Sequence, residues 1–189
     1  MVMDHYLDIR LLPDPEFPPS MLMNALFAKL HCALVDLDST AIGVSFPGHS
    51  LEPLTLGQRL RLHGEARALT NLTSRDWLRG MRDHTGLHGP ARIPAGAMHR
   101  AVRRVQAKSS PERLRRRLIQ RKGIDHAAAR EAIPDQAAER LDLPFVTLQS
   151  RSSGQTFRLF IEHGPAQPEP TLGPFSHYGL GRGATVPWF

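Results

Sequence analysis

Ten histidines are spread along this 189-residue chain. Imidazole is the side chain whose protonation changes near neutral pH, so these are the first candidates for proton transfer. His31 stands apart by its placement. In SMLMNALFAKLHCALVDL (20–37), Leu22, Leu26, Ala33 and Leu37 recur at helical spacing and define a core stripe. His31 falls roughly opposite that stripe, which puts it at an exposed or interdomain surface. Ser150 and Tyr178 add a hydroxyl and a phenol in expected β-structure of the second half. HTGLH sets His84 and His88 four apart, the spacing of a helical metal pair. Gly86 between them, and the lack of a third clustered ligand, argue against a metal there. GLGRG (179–183) lacks the Lys-Ser/Thr of a phosphate loop and reads as a tight turn.

The second chemical signal is charge. The chain carries a net +6, yet Arg100 to Lys122 alone holds ten Lys/Arg against Glu112, a net +9. The rest is therefore acidic overall, and one segment makes the protein basic. A solvated helix normally mixes signs to form i,i+4 pairs. Here like charges would repel, so the segment points to a polyanion. Arginine predominates, and its planar fork suits bidentate phosphate and guanine contacts. A DNA-reading helix needs a partner helix across a short turn, and the residues before Ser109 read as strand or loop. An arginine-rich helix lying along an RNA hairpin fits better.

The elements that must carry these residues follow from pattern and punctuation. HYLDIRLL alternates as a half-buried strand. Ser20 is expected to cap the following helix. AIGVSFP reads as a second strand, and GQRLRLHG as a third with Leu60 and Leu62 inward. SRDWLRGMRDH (74–84) is expected as a helix or its last turns, and ARIPA (91–95) as a fourth strand. The order is β-α-β-β-α-β, a ferredoxin-like arrangement over 1–95. A smaller α+β part, 96–189, then holds the basic helix and β-hairpins. Ser109, Ser110 and Pro111 signal its start and Gly123 its end, giving a helix over about 111–122. IDHAAAREAI and DQAAERLDL read as short helices around Pro134. FVTLQSRSSGQTFRLFIEHG reads as a hairpin turning at SSGQ, and FSHYGLGRGATVPWF as another glycine-rich hairpin.

A lone cysteine, Cys32, cannot form an intramolecular disulfide, which fits a reducing cytoplasm. The N-terminal residues are charged where a signal peptide needs an apolar run. No apolar stretch approaches membrane-spanning length, so no membrane partner is expected.

Five blocks, MDHYLDIRL (3–11), RVQAKSSPERLRRRL (104–118), LDLPFVTL (141–148), GQTFRLFI (154–161) and the terminal YGL and VPWF, resemble the CRISPR-associated endoribonuclease of the type I-F (Csy) systems. The resemblance covers nearly the whole chain. It implies a ferredoxin-like domain followed by a domain with an arginine-rich helix. It implies a sequence- and structure-specific enzyme that processes precursor CRISPR RNA, cuts at the 3′ base of the repeat stem-loop and stays on its product. No metal or cofactor is implied. Attack by the 2′-hydroxyl would leave a 2′,3′-cyclic phosphate and a 5′-hydroxyl. His31 matches the family's catalytic histidine, Ser150 its active-site serine and Tyr178 its tyrosine. Arg104 and Gln106 match residues that read bases low in the stem. Arg116, Arg117, Arg121 and Lys122 match the helix that enters the hairpin groove, with Arg113 and Gln120 on the same arc. Phe157 matches an aromatic stacked under the terminal base pair. Gln120 stands where the family's arginine is expected, so one charge contact is given up. Implied partners are the repeat hairpin, as precursor and mature CRISPR RNA, and other subunits of the type I-F surveillance complex. Two alternatives are a non-catalytic hairpin binder in the same assembly and a DNA-binding regulator.

Overall fold

A computed structural model describes residues 3–106, 111–134 and 141–189. The chain is α+β, with antiparallel sheets. Its contacts divide it into two compact units, Met1–Val105 with Leu143–Phe189, and Gln106–Asp142. The boundary expected near Ala95 lies inside the first of these.

In the first unit, β1 (His5–Leu11), β2 (Gly43–Ser45), β5 (Arg59–Gly64) and β6 (Thr85–Arg92) form a sheet in the order β2-β5-β1-β6, every neighbour antiparallel. Between β2 and β5, β3 (Ser50–Leu51) and β4 (Leu54–Thr55) pair as a minimal hairpin. Leu7, Ile9 and Leu11 of β1 and Leu60 and Leu62 of β5 are buried, as the alternation requires. They share a core with α1 (Pro19–Asp36) through Leu22, Leu26, Phe27, Leu30 and Leu34, and with α2 (Ala66–Thr73) through Leu69 and Leu72.

β5 is buried on both faces, which its alternating pattern conceals. His63 bonds Ser45 Oγ at 2.8 Å. Arg61 donates to both Asp8 carboxylate oxygens at 2.6 and 2.9 Å and to the Phe189 carbonyl at 2.9 Å. Its guanidinium carbon lies 4.7 and 4.0 Å from the centroids of the Tyr6 and Phe189 rings, which themselves meet edge to face at 4.8 Å. A charge this deep is tolerated because each of its three nitrogens donates to an acceptor and two aromatic rings lie against it.

A second sheet runs β10-β7-β9-β8, again antiparallel, from β7 (Met98–Val105), β8 (Phe145–Gln149), β9 (Thr156–His163) and β10 (Thr185–Trp188). β8 and β9 are the hairpin expected around SSGQ. α1 packs on β8, where Thr147 N donates to Asn24 Oδ1 at 2.9 Å.

The second unit contains α3 (Pro111–Lys122) and α4 (His126–Ala132), packed together. α3 has the bounds its punctuation gives, and Gly123 follows at φ +62, its N–H on the Ile119 carbonyl. Asp125 caps α4, accepting from Ala128 N at 2.8 Å. The Ser109/Ser110 cap and most of the helix read from DQAAERLDL lie outside the described residues.

Several expectations are corrected. α1 begins at Pro19, which occupies a first-turn position, so Ser20 is inside the helix and not its cap. The second helix is Ala66–Thr73; residues 74–84 form turns ending in a 3₁₀ segment, Arg82–His84, because Gly80 sits at φ +76. The fourth strand is β6, longer and earlier than ARIPA. The tail is not a two-stranded hairpin. β10 pairs with β7, and Phe175 and Gly181 make a single bridge around a tight turn. Among the described residues, no helix is long and apolar enough to cross a membrane.

Candidate functional site

His31 lies on α1, half-buried, on the side away from Leu26 and Ala33. Its Nδ1 is 2.9 Å from the His177 carbonyl oxygen. A carbonyl only accepts, so Nδ1 carries the proton and donates it. In the neutral form of the ring Nε2 is then the nitrogen that carries the lone pair. The Tyr178 ring stacks on the imidazole with centroids 3.9 Å apart and planes 12° apart. On the same side Tyr178 runs parallel to Phe27, 6.3 Å away, which ties the pair to the core.

Tyr178 is in a turn rather than in a strand. Gly179 N donates to the Ser176 carbonyl at 2.7 Å, and Ser176 N to the Leu180 carbonyl at 3.0 Å. The turn is fixed to β2 by Val44 N on the Gly179 carbonyl, 2.9 Å. Gly179 has φ +70, and a Cβ there would stand 2.5 Å from Val44 Cγ1. Glycine is thus required at this point both by conformation and by space.

Ser150 is the first residue beyond β8. Its N–H donates to the Gln155 carbonyl at 2.8 Å, and its Oγ accepts from Ser153 N at 3.3 Å and shares a proton with Ser152 Oγ at 3.2 Å. The neighbouring Arg151 reaches back to Cys32 Sγ, 3.7 Å away, and Cys32 follows His31 on α1. The serine-bearing turn therefore faces α1 beside the histidine. No hydrogen bond joins Ser150 to His31 among the described residues.

Other histidines drop out on electrostatic grounds. Burial, with Arg61 and His99 nearby, pushes His63 down to about 3. Burial, reinforced by His49 and Arg100, pushes His163 down to about 3. His49 stacks on His163 at 3.7 Å and is lowered mainly by burial. These rings pack as neutral groups. His84 binds Asp14 Oδ2 at 2.9 Å from the 3₁₀ segment, while His88 lies on β6, so the pair does not share a helix face.

On the strand side, Arg104 of β7 is exposed and its guanidinium carbon lies 5.8 Å from the centre of the Phe157 ring, which is half-buried on β9. Its neighbour Arg103 is engaged by Glu162 at 2.8 Å. In the second unit, Arg113, Arg116, Arg117, Gln120, Arg121 and Lys122 are exposed, while Leu114, Leu118 and Ile119 are half-buried. Arg115 differs: its Nε donates to the Ile133 carbonyl at 2.7 Å, so this arginine fastens the helix pair. Arg116 lies 3.9 Å from Glu112 with both side chains open to solvent, too loose to hold it. Gln106 is exposed.

The His177 carbonyl that meets His31 could not be found from residue types, because a main-chain acceptor leaves no mark in a sequence.

Residues 6–189 match the family described as CRISPR-associated protein (Cas_Csy4). The CRISPR-associated endonuclease Cas6/Csy4 of Pseudomonas aeruginosa (strain UCBPP-PA14) is 56% identical over 187 residues, covering 99% of this chain and 100% of that protein. The protein of the same description from Escherichia coli (strain UTI89 / UPEC) is 48% identical over 187 residues, with the same coverage.

Proposed function

Since the chain belongs to the Csy4 family of CRISPR-associated proteins, we propose that it binds CRISPR repeat RNA and cuts it with His31 as general base. It is an endoribonuclease that processes CRISPR RNA. The observation that carries the catalytic assignment is the contact between His31 and Tyr178, with His31 Nδ1–H held by the His177 carbonyl.

That hydrogen bond leaves Nε2 to take the proton from the ribose 2′-hydroxyl. The 2′-oxygen then bonds to its own phosphorus as the bond to the 5′-oxygen breaks, and the departing 5′-oxygen takes a proton from water. The products are a 2′,3′-cyclic phosphate and a 5′-hydroxyl, cut at the 3′ base of the stem. In this reading the step uses no metal. Ser150 Oγ, beside α1, orients the 2′-oxygen for in-line attack. Tyr178 holds the imidazole plane by stacking.

Binding divides between strand and helix. Arg104 and Gln106 read bases low in the stem, and Phe157, stacked near Arg104, stops the terminal pair. Arg113, Arg116, Arg117, Gln120, Arg121 and Lys122 grip phosphates along the hairpin. The order β2-β5-β1-β6, with α1 after β1 and α2 after β5, supports a ferredoxin-like reading of 1–95, and 96–189 is then the RNA-binding part. The enzyme keeps its product and joins the other subunits of its surveillance complex in the cytoplasm.

The test separates cutting from holding. His31→Ala should abolish single-turnover cleavage of the cognate repeat hairpin while its Kd stays within about threefold. Ser150→Ala should slow cutting by about 10²-fold or more if orientation dominates. A His31→Ala protein that still cuts, or that loses its affinity, contradicts the assignment.

A further inference from the structure

The turn that presents Tyr178 and the His177 carbonyl to His31 is fastened at both ends. On one side Val44 N holds the Gly179 carbonyl. On the other, Phe175 N donates to the Thr40 carbonyl at 3.0 Å. Between them Ser176 Oγ bonds within the turn, donating to the Leu180 carbonyl at 3.0 Å and accepting from Tyr178 N at 3.4 Å, while His177 Nε2 reaches outside it and stands 3.1 Å from Asp38 Oδ1. A carboxylate accepts, so Nε2 donates. Asp38 follows Leu37, the C-cap of α1, and sits at φ +47, a left-handed conformation that Asp tolerates better than most residues. It lies about two helical turns beyond His31, past the end of the same helix.

We infer that the Asp38–His177 pair is a positioning device for His31. It fixes the residue whose carbonyl holds the His31 Nδ1 proton, and so keeps Nε2 aimed at the 2′-hydroxyl. This rests on the reading of His31 as the base. Main-chain bonds anchor the turn at Phe175 and Gly179, yet neither involves the carbonyl that His31 uses. Rotation of the His177 peptide between those anchors would swing that carbonyl away and release the ring. The long Tyr178 N–H bond to Ser176 Oγ, 3.4 Å, resists that rotation weakly; the imidazole of His177, tied to Asp38 just past the end of α1, adds the firmer restraint. α1 therefore meets residue 177 twice, at His31 through the main chain and just beyond the helix through the side chain.

The pair is exposed, with the Asp38 side chain 94% and the His177 side chain 37% open. Such a contact contributes little to global stability. Its loss leaves the fold intact and shows instead in how firmly one carbonyl is held. That makes the role separable from a structural one.

The experiment uses the full chain with the repeat hairpin, measuring single-turnover cleavage and Kd separately. His177→Ala and Asp38→Ala should each cut about three- to tenfold more slowly, with Kd and Tm unchanged. The double variant should be no slower than either single one, because both remove the same contact. His177→Gln, whose amide can still donate to Asp38, should keep most of the rate. The His31 Nδ1 proton, followed by NMR in histidine-labelled protein, should exchange with water faster in His177→Ala than in the parent. This last readout needs no cleavage. A parent protein that fails to cut therefore defeats the nuclease reading alone, while the clamp is still judged by the proton. Alanine variants that cut at the parent rate, or an Nδ1 proton whose exchange is unchanged, overturn the clamp.

Discussion

His31 and Tyr178 are far apart in the chain, yet their rings lie in contact, because a turn in the tail is bonded to α1 on one side and to β2 on the other. The placement of His31 opposite the core stripe was legible, since helical periodicity states which positions face inward. Its ligands were not, because one is a carbonyl and the other a ring that arrives by tertiary closure. The buried histidines were illegible for a related reason. His63 alternates with Leu60 and Leu62 on β5 and reads as solvent-facing, but the other face of that strand is covered as well. Their chemistry gives a prediction. His63 and His163 are neutral in the folded state down to about 3, whereas their unfolded forms take a proton near 6.5. The unfolded state therefore binds more protons below pH 6.5, and stability falls as pH drops. The loss should be on the order of 1 kcal/mol per pH unit for each histidine. Denaturant midpoints measured from about pH 7 to pH 4 should fall steadily, and His63→Asn should flatten that slope.

At the scale of elements, α3 was read to the residue because Pro111 opens it and Gly123, at positive φ, closes it. α2 was misplaced. Trp77, Leu78 and Met81 suggest a helical face, but Gly80 turns the chain there, and the true helix has only Leu69 and Leu72 to mark it. The sequence of β7 reads as strand or loop, because Val102 is its one buried residue and arginines mask any alternation. On α3, Arg115 donates to the Ile133 carbonyl, while a row of arginines is exposed to solvent. Gln120 sits in that row. Gln120→Arg should tighten binding to the repeat hairpin and steepen its salt dependence by about one unit in log–log slope. Unchanged affinity would mean that position 120 does not face the RNA. β5 and β1 are coupled by Arg61. Its loss leaves the Asp8 carboxylate only the looser Arg59 contact at 3.7 Å and removes the cation that lies against the Tyr6 and Phe189 rings. Arg61→Ala should therefore cost about 3–5 kcal/mol in denaturant unfolding. A cost under about 1 kcal/mol would contradict the tight pairing seen there.

For the molecule as a whole, charge asymmetry was visible from composition: a net +9 between Arg100 and Lys122 within a chain of +6. It points to a polyanion but not to a particular one. The repeat hairpin as the proposed ligand came from the resemblance of whole blocks, and the relatives that span the chain carry the family. Hairpin affinity should fall steeply with salt, by about tenfold or more for each fourfold rise, because several phosphate contacts release counterions. A flat response would remove α3 from the interface. The most direct test of the central claim is to incubate the protein with its repeat hairpin in EDTA across about pH 6 to 9 and to analyse the product ends. The account predicts one cut at the 3′ base of the stem, leaving a 2′,3′-cyclic phosphate and a 5′-hydroxyl. Intact RNA throughout, or products ending in a 3′-hydroxyl and a 5′-phosphate, would contradict it.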